Sequence, residues 1–369
     1  MKVKFTNLYK LIPQKEKINK KIQLLIKKAN FVGGEEVRLF EKNFAKFVGA
    51  KNCITVGNGT DALEIAIKSL NLKKGSEVIV PNNTWISTAE AVIANNLNVK
   101  FCDVNLDDYS ICLSDLKKKI DKKTKAIIAV HLYGNPTNMI KIRKIIGNKK
   151  IKVIEDCAQA HGAKLKKKHV GTLSDISTFS FFPGKNLGAF GDAGAIVTNS
   201  KQLSNKCLRS RNHGAINKYD HLFSGRNSRL DTINAAVLNI KLLHYKEVIK
   251  KRSQIAKMYF KELKNINNLK MFKLNTKDTH SFHQFVIRTN YREKLRIFLN
   301  NKGIETMIHY PYMLNELKFF KNKTTLIKSK NLGKKILSLP ISEDHTIKEI
   351  AYVCKIIKNF FQNIDSKIR

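Results

Sequence analysis

Lys185 stands in the run Ser180-Phe181-Phe182-Pro183-Gly184-Lys185-Asn186-Leu187-Gly188. An apolar, strand-like stretch from Ile176 to Phe182 precedes it, and Gly188-Ala189-Phe190-Gly191-Asp192-Ala193-Gly194 follows. Glycine and alanine at that density let a backbone turn tightly and approach a ligand closely. A lysine held there is partly desolvated, which disfavours its ammonium form. A neutral amine is what joins a carbonyl as a Schiff base. Taken alone, the same residue also reads as a solvated loop lysine.

Three other constellations bear on the choice. Val56-Gly57-Asn58-Gly59-Thr60-Asp61-Ala62-Leu63 is a small-residue turn leading into a helix. Free N–H groups at a helix start, with the helix dipole, favour an anion there. The Thr60 hydroxyl adds a donor, and Ser180 supplies another for the same phosphate. Thr60 or Asp61 equally serves as a helix N-cap. In Val153-Ile154-Glu155-Asp156-Cys157-Ala158-Gln159-Ala160-His161-Gly162, Asp156 ends a buried strand. That is where open α/β sheets place ligands. A carboxylate there keeps a pyridine nitrogen protonated and makes the ring an electron sink. Gln159 follows within reach of a ring oxygen, although Asp156 alone also reads as a cap. Trp85, the only tryptophan, follows the strand Val78-Ile79-Val80. Its indole suits stacking on a flat cofactor, or ordinary core packing. Phosphate cradle, stacking ring, carboxylate and amine together describe pyridoxal 5′-phosphate. The ten histidines show no HExxH-type spacing and no Ser-His-Asp arrangement competes, so no metal is expected.

These residues need strand ends to hold them. Val78–Val80, Val99–Phe101, Ala126–Val130 and Lys152–Ile154 read as short buried strands, and Asp61–Leu70 and Thr88–Asn95 as helices between them. That alternation implies a mostly parallel sheet sandwiched by helices. Thr178–Phe182 and Ala193–Thr198 form a further strand pair. A long helical stretch, Arg229–Leu263, leads to a different texture: a strand at Phe282–Arg288, a helix at Arg292–Lys302, a strand at Thr306–His309 and a closing helix at Lys348–Ile364. The expected organisation is a large α/β domain over 1–248 and a small C-terminal α+β domain over 249–369.

The chain has 369 residues and a formal net charge of +40. Such a charge raises the prospect of nucleic acid or an anionic surface. The lysines are scattered, however, and Lys117–Lys119 and Lys166–Lys168 lack interleaved aromatics for stacking bases. Abundant lysine, isoleucine and asparagine fit A/T-rich codons, and the excess charge suits a doubly phosphorylated substrate. The six cysteines are dispersed without CxxC pairing, which fits a reducing compartment. No signal-like or membrane-length apolar run occurs, so the expectation is a cytoplasmic protein.

From Phe31-Val32-Gly33-Gly34-Glu35-Glu36-Val37 to Leu337-Ser338-Leu339-Pro340 the chain resembles the DegT/StrS-type sugar aminotransferases, fold type I pyridoxal-phosphate enzymes. The most specific segments are Gly59–Leu63, Glu155–Ala160, Phe179–Gly194 and Gly225-Arg226-Asn227-Ser228-Arg229-Leu230-Asp231. The resemblance implies that Lys185 carries the cofactor and Asp156 meets its pyridinium, with Gln159 at the ring oxygen and Trp85 on the ring. It further implies that Gly59, Thr60, Asp61 and Ser180 hold the phosphate, with Asn227 reaching it from a neighbouring subunit. The implied protein is a homodimer with shared active sites. It moves an amino group from an amino acid, such as glutamate, to a nucleotide-linked keto-sugar, acting on the third or fourth carbon. A branch of the family has histidine where Lys185 stands and performs deoxygenation, which Lys185 argues against here. Two departures stand out: Tyr312-Met313-Leu314-Asn315 after Ile308-His309-Tyr310-Pro311, and Asn234 where glutamine is usual, in a helix expected mainly to pack. A catalytically idle regulator on the same fold and a nucleic-acid-binding protein are the competing expectations.

Overall fold

The structure is a computed structural model that describes residues 1–320, 324 and 326–368. Twelve strands are described: β1 (Asn52–Val56), β2 (Glu77–Pro81), β3 (Asn98–Cys102), β4 (Thr124–Val130), β5 (Lys152–Asp156), β6 (Lys164–Leu165), β7 (Lys168–His169), β8 (Ile176–Ser180), β9 (Gly194–Thr198), β10 (Lys270–Met271), β11 (Phe285–Arg288) and β12 (Ile336–Leu339). The helices in the first half are α1 (Lys15–Lys27), α2 (Gly34–Val48), α3 (Gly59–Ser69), α4 (Ser87–Ala94), α5 (Leu113–Lys119), α6 (Met139–Ile146) and α7 (Lys201–Ser210). Then come α8 (Thr232–Leu243), α9 (Tyr245–Leu263), α10 (Arg292–Asn301), α11 (Ile327–Gly333) and α12 (Ile347–Ile368).

Seven strands form the main sheet in the order β1-β9-β8-β5-β4-β2-β3. Only β9 runs against the others, pairing antiparallel with β1 and β8, while β8, β5, β4, β2 and β3 pair in parallel. Alternate residues divide between the two faces. Val78, Val80, Ile128, Ile154 and Ile176 pack in the cluster that holds Ala62, Leu63 and Ala66 of α3 and Ala89 and Val92 of α4. Ile79, Ile127, Ala129 and Val153 face Met139, Ile142 and Ile146 of α6. Farther along that second face, Phe179, Ala195 and Val197 meet Phe40 and Phe44 of α2 and Leu238 of α8. Burial on both faces explains why these strands read as unbroken apolar runs. The expected α/β architecture is what the chain adopts.

The C-terminal portion holds a three-stranded antiparallel sheet, β10-β11-β12, with α9, α10 and α12. Residue 248 falls inside α9, and Tyr259, Phe285 and Leu337 join the same apolar cluster as Val78 and Ile154. Three expectations change. The helical stretch begins at Thr232 and breaks at His244, which leaves helical geometry at φ −101° and ψ 5°. The strand expected from Phe282 starts at Phe285, because Phe282 is left-handed at φ 48°. Thr306–His309 is not a strand: Met307 makes one isolated bridge to Ser338, and the His309 carbonyl accepts from the Tyr133 hydroxyl instead of continuing the ladder. Among the described residues no helix is long and apolar enough to cross a membrane.

Candidate active site

The parallel strands deliver their carboxyl ends to one region. Asp156 ends β5, Ser180 ends β8, Gly57 to Thr60 follow β1, and Trp85 follows β2. Asp156, Thr178 and Ser180 lie on the face shared with Ile154 and Ile176, since alternate strand residues face the same side. Asp156 is buried, 5% exposed. Its Oδ2 accepts from the Thr88 hydroxyl at 2.9 Å and its Oδ1 from the Ala158 N–H at 3.1 Å. No helix follows β5 directly, so Asp156 is not a helix cap.

Behind it lies a buried network. Glu155 Oε1 meets His131 Nε2 at 3.0 Å and accepts from Gly171 N–H at 2.7 Å, while Oε2 accepts from Leu173 N–H at 2.9 Å. His131 Nδ1 accepts from Thr137 N–H at 2.9 Å. His131, Glu155 and Cys157 bring their donor atoms within 4.8 Å of one another, but the imidazole and carboxylate are already spent on these bonds.

The turn after β1 is capped by Asn58, not by Thr60 or Asp61: Asn58 Oδ1 accepts from Asp61 N–H at 2.8 Å. Asp61 turns its carboxylate to Arg226 at 2.6 Å and to the Ser228 hydroxyl at 2.6 Å. Ser228 Oγ in turn accepts from Gly57 N–H at 2.9 Å. The phosphate-site expectation thus meets a braced loop, with Thr60 Oγ1 2.8 Å from Ser87 Oγ. Gly59 lies so close to Ser180 that an added Cβ would sit 2.7 Å from the Ser180 Cβ. Here glycine is required by contact. Asn227 is exposed, between the anchored Arg226 and Ser228.

Lys185 is half-buried in its turn. Burial pushes its amine down to about 8, against a smaller upward pull from the Asp156 charge. The same ammonium, after burial, helps hold His161 down at about 3 and His309 at about 4. Gln159 accepts from Tyr133 N–H at 2.7 Å and donates from Nε2 to the Tyr310 hydroxyl at 3.0 Å, leaving one Nε2 proton for a ligand. Trp85 is exposed rather than core, its ring 5.5 Å from that of Tyr310.

Sequence reasoning did not single out Thr88, Tyr310 or Asn234 as partners of these groups. Asn234 does more than pack: its Oδ1 accepts from Phe190 N–H at 3.1 Å, bracing the loop after Lys185.

This geometry suits a phosphorylated aromatic aldehyde. A backbone cradle, a supported carboxylate and an amine of lowered proton affinity converge at the strand ends. Thr178 Oγ1, on the same face, is buried without a hydrogen-bond partner among the described residues. The architecture is that of the fold type I pyridoxal-phosphate transferases. Residues 13–358 match the DegT/DnrJ/EryC1/StrS aminotransferase family, and the chain belongs to it.

Among its relatives is a dTDP-3-amino-3,6-dideoxy-alpha-D-galactopyranose transaminase of Aneurinibacillus thermoaerophilus. It is 38% identical over 349 residues, which cover 94% of this chain and 96% of the relative. DesV of S. venezuelae, solved by X-ray crystallography, superposes with a TM-score of 0.95 at 31% identity over 98% of each chain. NtdA of Bacillus subtilis, solved with bound cofactor PMP, gives 0.91 at 28% identity over 98% of this chain and 85% of its own.

Proposed function

We propose that this sugar-nucleotide aminotransferase takes its amino group from L-glutamate. The acceptor is a keto group on the third carbon of a dTDP-linked 6-deoxyhexose. The observation that carries the reading is the pairing of Lys185, its amine near 8, with a buried Asp156 that is itself held by Thr88. The third carbon is favoured by the similarity to the 3-amino-sugar transaminase above.

Pyridoxal phosphate, when bound, supplies the electron sink that makes a substrate carbon acidic. The residues of this chain do the rest. Gly59, Thr60 and Ser180 would take the phosphate through backbone N–H and hydroxyl groups, and Asp61 holds that loop through Arg226 and Ser228. Asp156 would keep the ring nitrogen protonated, Gln159 would offer its remaining N–H to the ring oxygen, and Trp85 would present its exposed face to the ring. Lys185 would anchor the cofactor through its amine and, when free, would carry a proton as base and then acid.

Asn227 projects outward from a segment fixed on both sides, which supports a homodimer in which it reaches the second copy's phosphate. The product, an amino-deoxysugar nucleotide, suits surface polysaccharide or glycan assembly in the cytoplasm. The test is a panel of keto-sugar nucleotides incubated with glutamate and read by mass. Amination of the dTDP-3-keto-6-deoxyhexose is the expected result; amination of 4-keto sugars alone, or of none, overturns the assignment.

A further inference from the structure

Asn186 follows the reactive lysine directly, and it is buried, 4% exposed, between the outward-facing Phe182 and Phe190. A buried amide needs partners for both ends. Two of its partners come from the segment leading into β11, and a third, the Tyr245 hydroxyl, comes from α9. Nδ2 donates to the Ser281 carbonyl at 2.9 Å, and Oδ1 lies 3.0 Å from His283 Nδ1. A carbonyl only accepts, so the amide cannot be flipped: its NH2 must face Ser281 and its oxygen His283. An amide oxygen also only accepts, so Nδ1 of His283 carries the ring proton. Burial first, then the Lys185 charge, hold His283 far below its usual range, which leaves the lone pair on Nε2.

The gripping segment is itself fixed. Ser281 N–H donates to Gly134 O at 2.9 Å, and the Ser281 hydroxyl donates to Gln159 O at 3.4 Å. It is therefore tied to the loops after β4 and β5, which carry Tyr133 and Gln159, the latter three residues past Asp156. The lysine turn is closed from within by Lys185 N–H to Phe182 O at 2.8 Å and Ala189 N–H to Phe181 O at 2.7 Å. Its far side is tight as well, since a Cβ on Gly188 would come 2.4 Å from Pro183 O. Asn186 ties this closed turn to the segment ahead of β11.

We propose that Asn186 is a positioning residue for Lys185: its amide, locked between the Ser281 carbonyl and the Nδ1–H of His283, keeps the lysine amine directed into the cleft beside Asp156. The inference rests on the function proposed above for its meaning, but its first test does not.

In the full-length, cofactor-free protein, reductive methylation of Lys185 is followed against pH by peptide mass. The groups facing the amine are Asp156, His161, His283 and His309. The midpoint in the parent protein is expected near 8. In Asn186→Ala the freed turn lets the amine reach water, and the midpoint rises by about one unit, a tenfold gain in proton affinity. His283→Leu should do the same. His283→Asn keeps an N–H for Asn186 and should restore the parent value; it also decides the matter if Asn186→Ala does not fold. In the loaded enzyme Asn186→Ala lowers kcat about ten- to a hundredfold with KM for the amino donor little changed. A parent-like midpoint and kcat, with only the melting temperature reduced, would make Asn186 merely structural and overturn the proposal. If no keto-sugar is aminated by the parent protein, the methylation midpoints still decide the positioning role.

Discussion

The Thr88 hydroxyl donates to Asp156 Oδ2 across 2.9 Å, and Thr84 Oγ1 lies 3.1 Å behind it. Thr88 lies in the first turn of α4, so the helix that covers one face of the sheet also orients the carboxylate at the end of β5. A hydrogen bond to a charged group contributes about 1.5–3 kcal/mol. Thr88→Val keeps the shape and removes the donor. The half-reaction with the amino donor should slow about tenfold or more, while Thr88→Ser stays within a few-fold of the parent. Stopped-flow absorbance of the bound cofactor reads both, and an unchanged rate in Thr88→Val would detach this threonine from the chemistry.

Lys185 costs stability where it serves chemistry. Its folded pKa is depressed to about 8, so below that value the folded state carries the full penalty for an ammonium there. As pH rises from 8 toward the unfolded value near 10.4 the penalty fades. Lys185→Met should therefore abolish amino transfer yet raise the melting temperature of the cofactor-free protein at pH 7. The gain is bounded at about 3 kcal/mol and reduced by the residue's partial exposure. It should vanish by about pH 10.5, where the amine is neutral in both states. A melting temperature lower than the parent's at pH 7 would contradict this account.

The groups readable from sequence were those whose role follows from local context. Lys185, Asp156, Gly59 and Ser180 each sit where a strand-like run gives way to small residues, and strand ends are where parallel sheets bind ligands. Their supports were not readable, because they come from far along the chain. Gln159 meets Tyr310, 151 residues away, and Asn186 meets His283, 97 residues away. No periodicity encodes such pairs. Asn234 read as packing because its helix is apolar, whereas its amide oxygen serves Phe190 N–H. The break at His244 was missed for the converse reason: α8 and α9 are each helical, so the composition runs on without a glycine or proline to mark the junction.

Glu155 predicts an acid-side weakness. Burial pushes its carboxyl up, but the His131 hydrogen bond and charge and the Gly171 N–H outweigh it, leaving it below the usual range. A carboxylate depressed on folding contributes stability in full above its unfolded value near 4.3. That contribution is lost as pH falls through the folded value. In Glu155→Gln an amide NH2 must face either the His131 N–H or the backbone N–H of Leu173, leaving a buried donor unpaired. The cost at pH 7 should be about 1–3 kcal/mol in urea unfolding. The gap between the two proteins should narrow as pH drops below 4, where the parent loses its own advantage. A gap that stays constant from pH 7 to 3 would show that the ionised carboxylate is not what holds the network.

The hairpin β6–β7 turns through Lys166 and Lys167, at φ 46° and 72°. Left-handed geometry costs a residue bearing a Cβ about 1 kcal/mol, and two-residue hairpin turns favour glycine at the second position. Lys167→Gly should therefore stabilise the protein by about 1 kcal/mol, a rise in melting temperature of about 1–2 °C for a chain of this size. Lys168→Gly, one residue on and inside β7, should lower it instead, because a strand gains nothing from glycine's freedom. The hairpin is also tied to the chain ahead of Ser281: Lys164 N–H donates to Thr279 O at 2.9 Å and Thr279 N–H returns to Lys164 O at 2.8 Å. Relieving strain in the turn leaves that bridge intact, so kcat should not change. Loss of activity in Lys167→Gly would mean that the turn geometry is transmitted through Thr279 to the segment that grips Asn186, and differential scanning calorimetry beside a steady-state assay separates the two outcomes.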